Sequence, residues 1–79
     1  MEPYKNFSGN SGVREFEIHK AGIILRFGNE KAYYVYNYDK PGKPDVEQMK
    51  KLARIGKGLT TYINQNVRGN YADRVDPDD

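Results

Sequence analysis

Apolar and polar positions alternate with period two between Val13 and Tyr38, then recur every three or four residues between Val46 and Val67. The first pattern predicts strands and the second helices. Phe16 and Ile18 alternate with Glu15 and Glu17; after His19-Lys20-Ala21-Gly22, the positions Ile23, Leu25 and Phe27 alternate with Ile24 and Arg26. Gly28-Asn29-Glu30-Lys31 then leads into the run from Ala32 to Tyr38, which holds four of the seven tyrosines and reads as a third strand.

Two-residue connections at Lys20-Ala21 and Asn29-Glu30 set the register. Phe16 then lies opposite Leu25 and Tyr34, and Ile18 opposite Ile23 and Tyr36, so one face is wholly apolar or aromatic. The other face carries Glu15 with Arg26 and Tyr33, and Glu17 with Ile24 and Val35. A slip of one residue in either turn would put glutamates in the core.

Lys40-Pro41-Gly42-Lys43-Pro44 cannot continue a central strand and marks the turn out of the sheet. Asp45 is expected as the N-cap of a helix whose inner side is Val46, Met49, Leu52 and Ala53 and whose outer side is Glu47, Lys50, Lys51 and Arg54. Gly56-Lys57-Gly58 separates it from a second helix with Leu59, Tyr62, Ile63, Val67 and Tyr71 as its apolar stripe, fraying or ending near Gly69. The expected fold is α+β: a three-stranded antiparallel β-meander with two C-terminal helices packed on one face. Residues 1–12, rich in Gly, Ser and Asn, are expected to form a flexible N-terminal arm, 13–72 the domain, and 73–79 a disordered acidic tail.

Composition narrows the function classes. At 79 residues a single small core leaves little room for an enclosed ligand cavity, and without cysteine there is neither a disulfide framework nor a thiolate metal site. A reducing, cytoplasmic setting follows, with no membrane span and no secretory signal expected. The net charge of +2 hides an uneven distribution: residues 1–39 hold five basic and five acidic groups, 40–57 six and two, and 58–79 two and four. The positive segment is the first helix and its flanks.

That segment supplies Lys40, Lys43, Lys50, Lys51, Arg54 and Lys57, a set able to track a phosphate backbone or to serve simply as a solvated helix face. Tyr33, beside Arg26 on the open face, is the stacking candidate for an unpaired base, whereas Tyr34 and Tyr36 fall on the helix-covered side and read first as core. Asn64 and Arg68 share a side of the second helix and either tie it to the turns or meet a ligand. Gly56-Lys57-Gly58 lacks the spacing of a P-loop and reads as a helix-to-helix turn. Glu15 and Glu17 project together, and His19 sits by a turn, but nothing encloses them; no catalytic residue, metal or cofactor is expected, and the chain is not read as an enzyme.

Tyr36-Asn37-Tyr38, a proline turn at Pro41 or Pro44, and Lys57-Gly58 followed by Tyr62, Ile63, Asn64, Val67, Arg68 and Tyr71 resemble the KTSC domain. That family occurs at the C-terminus of some lysyl-tRNA synthetases and as small stand-alone bacterial proteins, which implies a bacterial-type or phage-type protein here. The resemblance runs from about Phe16 to Tyr71; it departs in a longer Lys40 to Lys43 turn and in Val67 where isoleucine is expected. It implies family-motif positions at Tyr36, Tyr38, Gly58, Asn64, Arg68 and Tyr71. It also implies a non-catalytic accessory domain binding RNA or single-stranded nucleic acid weakly; the residues of this chain read for such a surface are Arg26, Tyr33, Lys43, Lys50, Lys51, Arg54, Lys57 and Arg68. The rival expectation is a protein-interaction or self-association module using the open face of Ile24, Tyr33 and Val35.

Overall fold

The computed structural model describes residues 1–7, 9 and 12–77. Its elements run β1 (Glu2–Pro3), β2 (Val13–His19), β3 (Gly22–Phe27), β4 (Tyr33–Asn37), α1 (Lys43–Ile55), α2 (Leu59–Tyr62) continuing directly into a π turn (Ile63–Val67), and β5 (Asp73–Val75). The fold is α+β, with a five-stranded antiparallel sheet in the order β1-β2-β3-β4-β5.

The central meander has the register that the alternation requires. Phe16 pairs with Leu25 and Leu25 with Tyr34; Ile18 pairs with Ile23 and Ile23 with Tyr36. Glu15 pairs with Arg26, Glu17 with Ile24 and Ile24 with Val35 on the opposite face. A bulge between Val13 and Glu15 accommodates Arg14, which strict alternation would have aimed inward, and returns Val13 to the core. β4 ends at an Asx turn, where the Asn37 Oδ1 accepts from the amides of Asp39 and Lys40 at 3.0 and 2.9 Å.

The sheet has five strands rather than three because both ends of the chain add to it. Glu2 and Pro3 pair with Phe16 and Glu15. The arm expected to be free of structure also buries Tyr4, whose amide donates to the Arg14 carbonyl, and the Phe7 amide donates to the Gly56 carbonyl. At the other edge Asp73, Arg74 and Val75 pair with Val35, Tyr34 and Tyr33, so the acidic tail begins as an edge strand. Backbone pairing to an open sheet edge needs no apolar side chains, which is why composition did not announce either strand. Ser8, Asn10 and Ser11 of the expected arm, and Asp78 and Asp79 of the expected tail, lie outside the described residues.

α1 starts three residues earlier than expected. Gly42 is its N-cap and Pro44 occupies the first turn, where a missing amide costs nothing. Asp45 therefore does not cap: its Oδ1 accepts from the Tyr62 hydroxyl at 2.5 Å, latching α1 to α2 and pushing the Tyr62 pKa up to about 12. α1 ends at Gly56 in the left-handed conformation, with its amide on the Leu52 carbonyl.

The second helix is shorter than its apolar stripe. After Tyr62 the hydrogen bonding widens to five residues, Arg68 N donating to the Ile63 carbonyl, and this keeps Leu59, Ile63 and Val67 together in the core. Tyr71 lies beyond the helix and packs edge-on against Tyr34 and Tyr36, with centroids 5.0 and 6.3 Å away. Phe16, Ile23, Leu25 and Tyr36 from the sheet meet Val46, Met49, Ala53, Leu59, Ile63 and Val67 in one core.

Candidate functional site

The residues proposed from sequence as a nucleic-acid surface fall in three places. Arg26 and Tyr33 are on the open sheet face, the lysines and Arg54 are on α1 and its C-terminal turn, and Arg68 follows the π turn.

On α1, Lys43, Lys51 and Arg54 are exposed, and their four- and three-residue spacings through Glu47 put them on one outward line, with Lys57 exposed in the following turn. None of the four is ion-paired among the described residues. Lys43 also lies 5.6 Å from the Tyr38 ring centroid.

Lys50 does not belong to this surface. It is only 5% exposed, its ammonium donates to the Lys20 carbonyl and the Glu47 carboxylate, both at 2.9 Å, and it lies 5.5 Å from the Tyr38 ring centroid. The helix turns this position toward the β2–β3 hairpin, whose carbonyl supplies the partner a buried cation requires. Glu47, also accepting from the Tyr38 hydroxyl at 2.8 Å, is held below the usual carboxylate range by Lys50 first and Tyr38 second. Tyr38 is thus a strut of this network rather than a base platform.

Arg26 is likewise engaged: it donates to the Glu15 carboxylate at 2.5 Å and to the Glu30 carbonyl at 3.1 Å. Tyr33 is half-buried in a shallow groove of about 370 Å³ lined by Met1, Glu17, Ile24, Val35 and Val75. β1 and β5 flank the expected strip of Ile24, Tyr33 and Val35, widening it at the cost of Tyr33's freedom to stack. Gly56-Lys57-Gly58 is a helix-to-helix turn, and the Leu59 amide that follows it donates to the buried Tyr4 hydroxyl at 3.3 Å.

Arg68 sits at a feature that sequence reading did not find. Between β4 and the π turn is a second cleft of about 370 Å³, lined by Tyr34, Tyr36, Tyr71, Asn64, Arg68 and Glu30 among others. Four of the six positions singled out by the resemblance, Tyr36, Asn64, Arg68 and Tyr71, therefore converge here. Tyr36 is 1% exposed, its hydroxyl has no hydrogen-bond partner among the described residues, and no buried side-chain N or O is left unpaired. The hydroxyl accordingly opens on the cleft rather than into closed core. Burial, with Tyr34 and Tyr71 nearby, pushes its pKa well above that of a free tyrosine.

The opposite rim is a charged triplet. Tyr34 donates to Glu30 at 2.9 Å, Arg74 donates to the Tyr34 hydroxyl at 3.2 Å, and Arg74 lies 3.8 Å from Glu30. Asn64 and Arg68 make no side-chain bond among the described residues, and Arg68 has φ 50 and ψ −122, a strained conformation for a residue with a side chain. Their four-residue spacing, and the grouping of both with Tyr36 and Tyr71 in the resemblance, were the sequence signals for the cleft. The turn at Arg68-Gly69 that carries Tyr71 back to the sheet has no periodic signature.

Among the described residues, no group of three His, Asp or Glu side chains is placed to hold a metal, and no helix is long and apolar enough to cross a membrane. Comparison with protein-family models, with curated proteins and with solved structures gives no match to this chain.

Proposed function

We propose that this chain is a non-catalytic accessory domain of KTSC type that works in the cytoplasm and binds single-stranded nucleic acid weakly, RNA foremost. The outward line of α1 forms the backbone-tracking surface. The observation that carries the reading is that Lys43, Lys51, Arg54 and Lys57 are exposed and without ion pairs among the described residues, while Glu47, the acidic group among them, is occupied by Lys50 and Tyr38. A cationic line whose one carboxylate is already satisfied is free to exchange its counterions for phosphates.

The test is a fluorescence titration of a labelled single-stranded RNA oligomer at several salt concentrations. With four phosphates neutralised, log affinity falls against log salt with a slope of about −3, or about fiftyfold between roughly 50 and 200 mM. Replacing Lys51 and Arg54 by glutamine reduces that slope by about 1.4. No detectable binding at low salt, where this electrostatic attraction is strongest, removes the reading.

The open face favours a second reading, an interaction or self-association module. Met1 and Val75 are exposed beside Ile24, Tyr33 and Val35, making a continuous apolar groove flanked by both added strands. Sedimentation at rising concentration, for wild type and Val35→Lys, tests the self-pairing form.

A further inference from the structure

The cleft between β4 and the π turn has a composition that α1 lacks: aromatic walls, unpaired polar groups and limited size. Its volume of about 370 Å³ lies at the small end of ligand-binding pockets, enough for one base and not for a folded partner's side-chain cluster. Tyr34 and Tyr71, packed edge-on against each other at 5.0 Å, line the cleft, and every base has a π face to set against an aromatic side chain. Three polar groups without partners among the described residues face the same space: the Tyr36 hydroxyl, the Asn64 amide and the Arg68 guanidinium.

We propose that this cleft takes one unstacked nucleobase of a bound single strand, with Arg68 on the adjoining phosphate; the proposal rests on the nucleic-acid reading above. Each polar group has a chemical role in that arrangement. An asparagine amide offers a donor beside an acceptor, the pattern of a base edge, and the Tyr36 hydroxyl at the floor donates to or accepts from the inserted edge. The guanidinium supplies paired donors of phosphate geometry at the mouth. Glu30 does not repel the strand as a bare carboxylate, because Arg74 and the Tyr34 hydroxyl already hold it, and its remaining lone pairs can accept from an exocyclic amino group.

The backbone is consistent with a built site. The π turn puts Asn64 and Arg68 at the cleft while Ile63 and Val67 stay in the core, and it ends in the strained Arg68. Such widened turns and unfavourable dihedrals concentrate where a side chain has been aimed at a ligand.

The experiment has two arms on the intact chain. In the first, backbone amide shifts are followed by NMR during titration with each of the four ribonucleoside 5′-monophosphates and, separately, with ribose 5-phosphate. The amides of Asn64, Arg68, Gly69 and Tyr71 shift with at least one nucleotide and not with the sugar phosphate. In the second, the labelled RNA oligomer is titrated against Asn64→Ala and Tyr71→Leu; Asn64 is exposed, so its replacement leaves the fold intact. Tyr71→Leu lowers oligomer affinity by about five- to a hundredfold without changing the salt slope, and Asn64→Ala lowers it in the same direction. Oligomer binding with the expected slope, joined to silent cleft amides and unchanged affinity in both variants, overturns the cleft proposal and leaves the α1 reading standing. A response equal for ribose 5-phosphate and nucleotides also overturns it, since the base would then contribute nothing. Absence of oligomer binding at low salt overturns the nucleic-acid reading itself, and this proposal with it.

Discussion

The ammonium of Lys50 donates to the carbonyl oxygen of Lys20 across 2.9 Å, joining α1 to the turn of the β2–β3 hairpin thirty residues earlier in the chain. A lysine on the apparent outer side of an amphipathic helix is thereby a tether. Lys50→Met keeps the stem's packing and removes the charge, leaving the Lys20 carbonyl without this donor. The variant is expected to lose about 1 to 3 kcal/mol of stability in urea unfolding. Lys51→Gln, by contrast, is expected to lower the salt slope for RNA binding by about 0.7 with little change in stability.

The same network makes stability depend on pH through Glu47. Its folded pKa is depressed from the ordinary 4.5 by the Lys50 ammonium and the Tyr38 hydroxyl. The unfolded chain therefore binds the proton first as pH falls. The stabilisation is whole above the ordinary carboxylate value and is lost as pH drops through the lower folded value. Urea midpoints measured from neutral pH down to about pH 3 are expected to fall for wild type below about pH 4.5. Glu47→Gln is less stable at neutral pH, and its difference from wild type narrows over that acid window. A difference constant with pH would mean that the Glu47 charge is not what the network uses.

Leu25 tests the core directly, being fully buried between Phe16 and Tyr34 in the sheet and part of the cluster that meets the helices. Leu25→Ala is expected to cost about 2 to 5 kcal/mol, a large share of what a domain this size has. Thermal unfolding reads it.

Which parts of this architecture were legible in advance depends on what each element uses to hold itself. β2, β3 and β4 are fixed by side-chain alternation, so Phe16, Leu25 and Tyr34 could be put in register from sequence. β1 and β5 are fixed by backbone pairing, and neither Glu2-Pro3 nor Asp73 to Val75 carries a buried side chain to signal it. The candidate surface shows the same division. Lys51 and Arg54 face outward as helical spacing requires, but Lys50 turns inward because a carbonyl 30 positions away awaits it, a long-range relation that no local window contains. Asn64 and Arg68 line one cleft, but Arg68 lies past the end of the helix rather than on a shared helical side. Their convergence with Tyr36 and Tyr71 depends on the π turn and on the reversal at Gly69, both of which depart from the regular period that sequence reading relies on.

The docking of the N-terminal arm can be tested at Gly56, where two requirements coincide. Gly56 has φ 84, and a Cβ there would lie 2.8 Å from the Lys5 Cβ and 3.2 Å from the Phe7 ring. The left-handed backbone alone penalises any residue with a side chain by about 1 kcal/mol or more. The close approach adds a cost only if the arm is held against the C-terminus of α1, as the bond from the Phe7 amide to the Gly56 carbonyl at 2.8 Å implies. Gly56→Ala is therefore expected to lose more stability than the backbone penalty and to speed hydrogen exchange at the Phe7 amide. In a Lys5→Gly background, where the nearest obstructing atom is gone, Gly56→Ala is expected to cost measurably less, giving a coupling of about 0.5 kcal/mol or more in the double-mutant cycle. Strict additivity of the two substitutions, with unaltered exchange at Phe7, would show that the arm does not rest on this turn, and the remaining cost of Gly56→Ala would then belong to the helix cap alone.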